Sequence, residues 1–417
     1  MKKGFVLVCA LSLVLALGGM AFAENVIKIG AIYPFTGPMA GTAQMLKDGV
    51  TMAVDIINNK YDFDFLFADT EGLPNLDGAK IEIIWADSAG DPKTGMSEAE
   101  RLITSEGVVA LIGCYQSSVT KTASQVAERY GIPFVNGDSS SPQLTERNFN
   151  WFFRTDPHDG LYAQQQFEHL IELEKQTGES LRRIAIVYEN TEFGAQVAKA
   201  QEALAKEYGF QIVEKLAYTT GATSLNSEVT RLMASKPDVV MMAAYISDQI
   251  LFTKTFKTMR FAPKVWHNTA APGEPDFLKS VGDDGNYLFL RQGFCADQVV
   301  NKPVIGRILE EFRNKFGQEM LADAVRSFHA PIVLADAINR AGSTDPEAIR
   351  QALLETDIPG EYCLSPWEGI KFDPETHQNI YGQYIICQIQ DQTFYTVFPS
   401  AFATRETVFP FPSWDDR

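Results

Sequence analysis

The chain has 417 residues, a formal net charge of −17, and 45% hydrophobic against 21% charged residues. So acidic a balance excludes nucleic acid as a partner, because phosphates demand a basic surface, and reads as solubility. The length exceeds what one hydrophobic core supports and predicts two domains.

Lys2 and Lys3 precede an apolar run from Phe5 to Leu17, and the segment ends in Ala21-Phe22-Ala23. This is the layout of a secretory signal over residues 1–23, with cleavage expected before Glu24. Read as a membrane span the run is too short, and no other stretch approaches the roughly 20 apolar residues required. A lipid anchor on Cys9 is the alternative, against which stands Val8, where a lipoprotein signal has a small residue. Removing two lysines with the signal leaves a net charge of −19 and four cysteines, Cys114, Cys295, Cys363 and Cys387. An oxidising compartment permits disulfides among them, and the pairing stays open, as do buried free thiols. Their spacing is not that of a zinc site.

Short β-branched runs then alternate with segments of helical period. Ile27 to Tyr33 is followed by a helix near Gly41 to Asn59, in which Leu46, Val50, Ala53 and Ile57 mark one buried face. Tyr61 to Lys80 has neither period and reads as a loop. Next come Ile81 to Trp85, a helix after Asp91-Pro92, the strand Val108 to Ile112, a helix from Ser117 to Tyr130, and Ile132 to Val135. Such βαβα order with near-continuously apolar strands argues for a parallel sheet covered on both faces. The pattern restarts after Pro157 with a helix around Leu161 to Lys175, then strands at Ile184 to Tyr188, Gln211 to Leu216, Val239 to Ala244 and Lys264 to His267, separated by helices. Helices near Pro303 to Phe316, Ala324 to Ala341 and Pro346 to Glu355 lack new strands and are expected to return to the first sheet. Tyr384 to Gln390 and Thr393 to Phe398 flank Asp391-Gln392 as a hairpin. The fold class expected is α/β: two doubly wound parallel-sheet lobes joined by a multi-strand hinge, with residues 24–157 and 293–360 in lobe one and 158–292 and 361–417 in lobe two.

No G-x-S-x-G elbow, no G-x-x-x-x-G-K-[ST] loop and no G-x-G-x-x-G occurs, and five histidines are scattered without metal-ligand spacing. No catalytic residue, metal or cofactor is expected. His267 at a strand end and His329 on a helix are the two histidines worth following. In open α/β sheets ligands bind beyond the carboxyl ends of the strands. Two such ends are unusually polar, Gly113-Cys-Tyr-Gln-Ser117-Ser118 ahead of a helix and Asn136-Gly-Asp138-Ser139-Ser140-Ser141-Pro142. Unpaired N–H groups at a helix start and serine hydroxyls would hold a carboxylate, although Ser117 and Ser141 also suit plain capping.

Lys28 to Pro38 (KIGAIYPFTGP), Asp91-Pro92 after Ala86-Asp-Ser88, Leu111-Ile-Gly113 followed by Ser117-Ser118, and Ser141-Pro-Gln-Leu-Thr145 together resemble the leucine/isoleucine/valine-binding proteins of ABC importers. Phe153-Arg-Thr155, Ile184 to Val187 and Phe193-Gly194 continue the resemblance, which runs from Ile27 to about Ile338. It implies a type I periplasmic binding protein whose ligand carboxylate is held by Ser117 and by groups of Asp138, Ser139 and Ser140. It further implies that Phe193 packs on the ligand side chain and that Tyr245 meets its amino group, both from lobe two; each could equally be a core aromatic. The family's acid for the ligand ammonium aligns with Thr269, so Asp138 would have to supply the charge or the ligand lacks an amine. Thr42 stands near where relatives present an aromatic, which departs from leucine specificity. The implied function is capture of a branched-chain or other hydrophobic amino acid by hinge closure and delivery to an inner-membrane ABC permease, by a monomer in the periplasm. A carboxylate without an amino group, or a sensor role feeding a separate receptor, is the alternative.

Overall fold

The computed structural model describes residues 25–416, so the expected secretory signal lies outside the described residues. In chain order, β1 (Val26–Tyr33), α1 (Ala40–Asn58), β2 (Lys80–Asp87), α2 (Pro92–Arg101), β3 (Ala110–Gly113), α3 (Ser117–Tyr130), β4 (Phe134–Asn136) and β5 (Phe152–Arg154) form the first unit. Its five strands are parallel, in the order β2-β1-β3-β4-β5. A second unit follows: α4 (Asp159–Thr177), β6 (Arg183–Glu189), α5 (Glu192–Tyr208), β7 (Gln211–Tyr218), α6 (Asn226–Ser235), β8 (Val239–Ala244), α7 (Ile246–Thr258), β9 (Val265–Ala270), α8 (Pro275–Val281) and β10 (Phe289–Gln292). After α9 (Pro303–Phe316), α10 (Ala322–Ala341) and α11 (Pro346–Leu354) come a short antiparallel pair, β11 (Asp357–Pro359) and β12 (Gly369–Lys371), and a hairpin, β13 (Ile385–Gln390) and β14 (Thr393–Phe398). The second sheet runs β14-β13-β10-β9-β8-β6-β7, parallel except where the hairpin joins β10 antiparallel. The molecule is thus α/β with two parallel-sheet lobes.

Local chemistry accounts for the elements. Pro92 opens α2 and the Asp91 carboxylate accepts the Thr94 N–H at 2.7 Å, closing the helix start. Every residue of β8 is buried, as a strand covered on both faces requires. In α1 the face of Leu46, Val50, Ala53 and Ile57 is fully buried. Gly49 on the same helix lets α10 approach so closely that a Cβ there would stand 2.1 Å from the Ala324 carbonyl oxygen. Ser327 Oγ donates to the Leu46 carbonyl at 2.8 Å across that contact. The long helix α10 therefore packs against α1 of the first unit.

Four strands escape the sequence pattern, among them the short pair β11 and β12. β5 has only three residues and is held by pairing with β4 and by the edge-on rings of Phe134 and Phe152. β10 carries Arg291 and Gln292 within a four-residue run, which hides its strand character.

The chain passes between the sheets after β5, after β10 and ahead of β13. Before the last passage, residues 377–379 lie along β5: Arg154 N–H donates to the His377 carbonyl at 3.0 Å and Asn379 N–H to the Arg154 carbonyl at 2.9 Å. Segments beyond the carboxyl ends of β3 and β4 thereby meet those beyond β6, β8 and β9. Among the described residues no helix is long and apolar enough to cross a membrane. The four cysteines Cys114, Cys295, Cys363 and Cys387 are buried free thiols.

Candidate functional site

Beyond β3 the chain turns at Gly113, whose φ of +110° and 2.2 Å separation between a notional Cβ and the Ile32 carbonyl admit no side chain. It then enters α3 at Ser117. Ser117 Oγ accepts the Ser141 N–H at 3.3 Å, joining the two polar loops at the helix start. Asp138 is buried; Tyr33 O–H donates to its Oδ2 at 2.9 Å, and Oδ1 has no partner. Burial pushes the Asp138 carboxyl up to about 7, against the pull of Arg326 and Tyr33. Ser140 Oγ donates to Asp159 Oδ2 at 2.5 Å and accepts from Arg291 Nη2 at 3.2 Å.

From the second lobe come Phe193 in the first turn of α5 and Tyr245, which immediately precedes α7. Their ring centroids are 5.2 Å apart, and Tyr115 of the first lobe stands 6.1 Å from Tyr245. These rings, with Ser117, Asp138, Ser140, Ala270, Arg291 and Arg326, line one small cavity between the lobes. Its volume of about 10 Å³ matches the space of roughly one water molecule.

Ser117, Asp138, Ser140, Phe193 and Tyr245 thus line the same cavity. Ser139 and Thr269 do not line the cavity. Ser139 Oγ instead donates to the Tyr115 carbonyl at 2.8 Å and meets Thr120 Oγ1 at 2.6 Å, bracing the two loops. Thr269 is fully buried in β9 with its hydroxyl unpartnered, while the adjacent Ala270 faces the cavity. His267 and His329 also lie elsewhere. His267 pairs with His169 at 3.1 Å, and His329 Nε2 accepts the Leu364 N–H at 3.2 Å. Burial holds both rings below the ordinary histidine range, His329 at about 3.

Four residues near the cavity were not anticipated. Glu274, five positions past Thr269, reaches across from the second lobe: Tyr115 O–H donates to its Oε1 at 3.0 Å, and Thr42 O–H bonds its Oε2. Burial first, and then the nearby Asp323, raise its pKa. Arg326 on α10 donates to Asp156 at 2.9 Å, to Asp323 at 3.2 Å and to the Asp138 carbonyl. Burial disfavours its charge, yet Asp156 and Asp323 together hold its pKa well above the ordinary value. Arg291 on β10 lies 3.2 Å from Asp159 Oδ1. Tyr115, between Cys114 and Gln116, is the fourth. Arg291 had a legible signal, the one charge in β10, which a buried position avoids unless paired; Arg326 shares α10 with Asp323, Asp336 and Arg340 and had no such signal. Glu274 had none, because the Pro272-Gly273 turn sets its reach.

Known proteins bear on this geometry. Residues 26–393 match the model of a family described as periplasmic binding protein. The Leu/Ile/Val-binding protein homolog 7 of Brucella suis biovar 1 is 28% identical over 411 residues, covering 96% of this chain and 98% of the relative. Homolog 8 of the same organism is 27% identical over 410 residues, covering 95% and 97%. Among solved structures, a leucine-binding protein of Thermotoga maritima superposes with a TM-score of 0.76 at 19% identity, covering 89% of this chain and 97% of its own. A branched-chain amino acid transporter substrate-binding protein of Streptococcus pneumoniae in complex with isoleucine gives 0.75 at 18%, covering 88% and 97%. A solute-binding protein of Rhodopseudomonas palustris in complex with benzoate gives 0.75 at 15%, covering 89% and 95%.

Proposed function

Because the chain belongs to the periplasmic binding protein family, we propose that it captures an amino acid between its lobes and delivers it to an inner-membrane ABC permease. The observation that carries this reading is the pairing, around one interlobe cavity, of the hydroxyl-rich start of α3 with buried carboxylates from both lobes. In this reading the ligand carboxylate lies at Ser117 and the neighbouring loop N–H groups, where helix-end donors favour an anion. Its ammonium lies between Asp138 and Glu274, so that Glu274 takes the role the sequence left vacant at Thr269. Phe193 and Tyr245 cover the side chain, and Ser139 acts by bracing the loops. The cavity is too small for an amino acid as it stands, so the lobes part to admit solute and close on it, with the passages after β5, after β10 and near 380–384 as the hinge. The protein works as an exported monomer in the periplasm, and no catalytic step is assigned to it. Relatives named for leucine, isoleucine and valine, and a neighbour with isoleucine bound, support a branched-chain or other hydrophobic amino acid as the first candidate.

A benzoate-bound structural neighbour and the aromatic cavity wall favour one second reading, a carboxylate without an amine. Glu274 and Asp138 weigh against it, since an anion brings no charge to meet theirs. A thermal-shift screen of the full chain over the common amino acids and simple organic acids decides between them. A ligand at a hundred times its Kd adds about 2.7 kcal/mol of stability. An amino acid is expected to raise Tm more than its deaminated analogue; no shift with any compound refutes the capture of such solutes.

A further inference from the structure

Two atoms of opposite chemistry are left over among the residues lining the interlobe cavity. Asp138 Oδ1 is a buried acceptor without a donor, and Arg291 Nε is a buried donor without an acceptor. Every other guanidinium nearby is engaged. Arg154 donates to Gln378, to the carbonyls of Ser139 and Ser141 and to Thr145, and Arg326 is held by Asp156 and Asp323. Arg291 itself gives Nη1 to Tyr384 and, at 3.2 Å, to Asp159 Oδ1, and Nη2 to Ser140 Oγ, and its Cζ lies 4.8 Å from the Tyr384 ring centroid. The guanidinium is therefore fixed through its two Nη atoms, its charge balanced by Asp159, while Nε remains unsatisfied.

An aliphatic ligand side chain laid against this arginine would bury Nε further and offer it nothing. Leaving a buried donor unmade carries the full desolvation penalty of that group, which is larger for a charged one. A site built to hydrogen-bond a polar group also rejects the analogue lacking that group far more strongly than it rejects a missing methylene. We infer that Arg291 is a specificity-determining residue that receives an oxygen acceptor on the ligand side chain, so that the preferred solute is a short amino acid ending in a carboxamide or carboxylate. This inference rests on the amino-acid reading above and replaces its hydrophobic first candidate with a polar one. The Ser117 end takes the α-carboxylate, and Arg291, on the opposite lobe, takes the side-chain oxygen.

Calorimetric titration of the full chain with L-asparagine, L-glutamine, L-aspartate, L-glutamate and L-leucine tests it without any variant. One of the four polar amino acids is expected to bind at least tenfold more tightly than leucine, and whether the amides or the acids lead identifies the acceptor. Leucine binding as tightly as the best of them overturns the inference and leaves amino-acid capture standing. Binding of none of the five overturns the inference, and the thermal-shift screen over the remaining amino acids then decides whether amino-acid capture falls with it. Arg291→Met and Arg291→Lys then locate the effect, with the ligand-free Tm recording whether each variant folds. The polar-to-leucine affinity ratio is expected to fall about tenfold or more in Arg291→Met, and to fall in Arg291→Lys, which keeps a charge but loses the planar fork. Equal weakening of all ligands, with the ratio unchanged, would show that Arg291 only supports the fold or the α-carboxylate, and overturns the assignment.

Discussion

At Asp138 one carboxylate oxygen is taken by Tyr33 and the other faces no donor, inside a cluster where burial works against every charge. The folded protein consequently holds this proton more tightly than the unfolded chain. Its contribution to stability is fully present below the unfolded value near 4 and is lost as pH rises through about 7. Asp138→Asn is expected to raise the ligand-free Tm at pH 8 by a few degrees, with the difference shrinking toward pH 4; scanning calorimetry across that range is the check. Binding has the opposite slope. An ammonium requires the ionised carboxylates of Asp138 and Glu274, so amino-acid affinity is expected to rise between pH 6 and pH 8 and binding to release protons. Titration in buffers of different ionisation enthalpy measures that release. Asp138→Asn and Glu274→Gln should each weaken an amino acid by about tenfold or more, the worth of a charged hydrogen bond, while a deaminated analogue loses little. Equal losses would assign both residues to loop shape alone. At this scale the sequence made the polar loops legible, because serines stand next to strand ends. It did not reveal Glu274 or Arg326, whose side chains arrive from elements distant in the chain, nor that Ser139 turns away from the cavity.

Among the elements, the crossing of α1 and α10 illustrates what periodicity conveys and what it omits. The apolar stripe of α1 is regular, so its burial could be read directly. That the covering partner is α10, some 280 residues away, follows from the absence of a glycine side chain at position 49, which no period encodes. Gly49→Ala would drive a methyl group into the Ala324 carbonyl and Ser327 Oγ, at 2.1 and 2.4 Å. Overpacking of this kind costs roughly 1–3 kcal/mol, and the midpoint of urea unfolding should fall accordingly with its slope unchanged. Strands were legible where they are long and apolar on both faces, as in β8. They were not where only a few residues extend, as in β5 and β12, because their identity comes from a neighbour's edge rather than from their own residues.

For the molecule as a whole, contacts across the cleft hold the two lobes together. Lys121 of α3 pairs with Glu192 of α5 at 2.8 Å, and Ser141 Oγ donates to the other Glu192 oxygen at 3.2 Å. Lys121 is 37% exposed, so the pair itself is worth at most about 1 kcal/mol. Lys121→Glu sets like charges at the mouth and is expected to enlarge the radius of gyration of the ligand-free protein in X-ray scattering, and to weaken ligand binding by about two- to fivefold. Added salt should reduce both effects. Glu274 closes the cleft in a different manner, since both of its oxygens are already occupied by hydroxyls of the opposite lobe, Thr42 and Tyr115. An incoming ammonium competes with these two internal donors, so a solute is rewarded only for what it offers beyond them. The protein thereby carries its own reference ligand, and compounds that bond Glu274 no better than a tyrosine and a threonine do are turned away at a threshold set inside the fold.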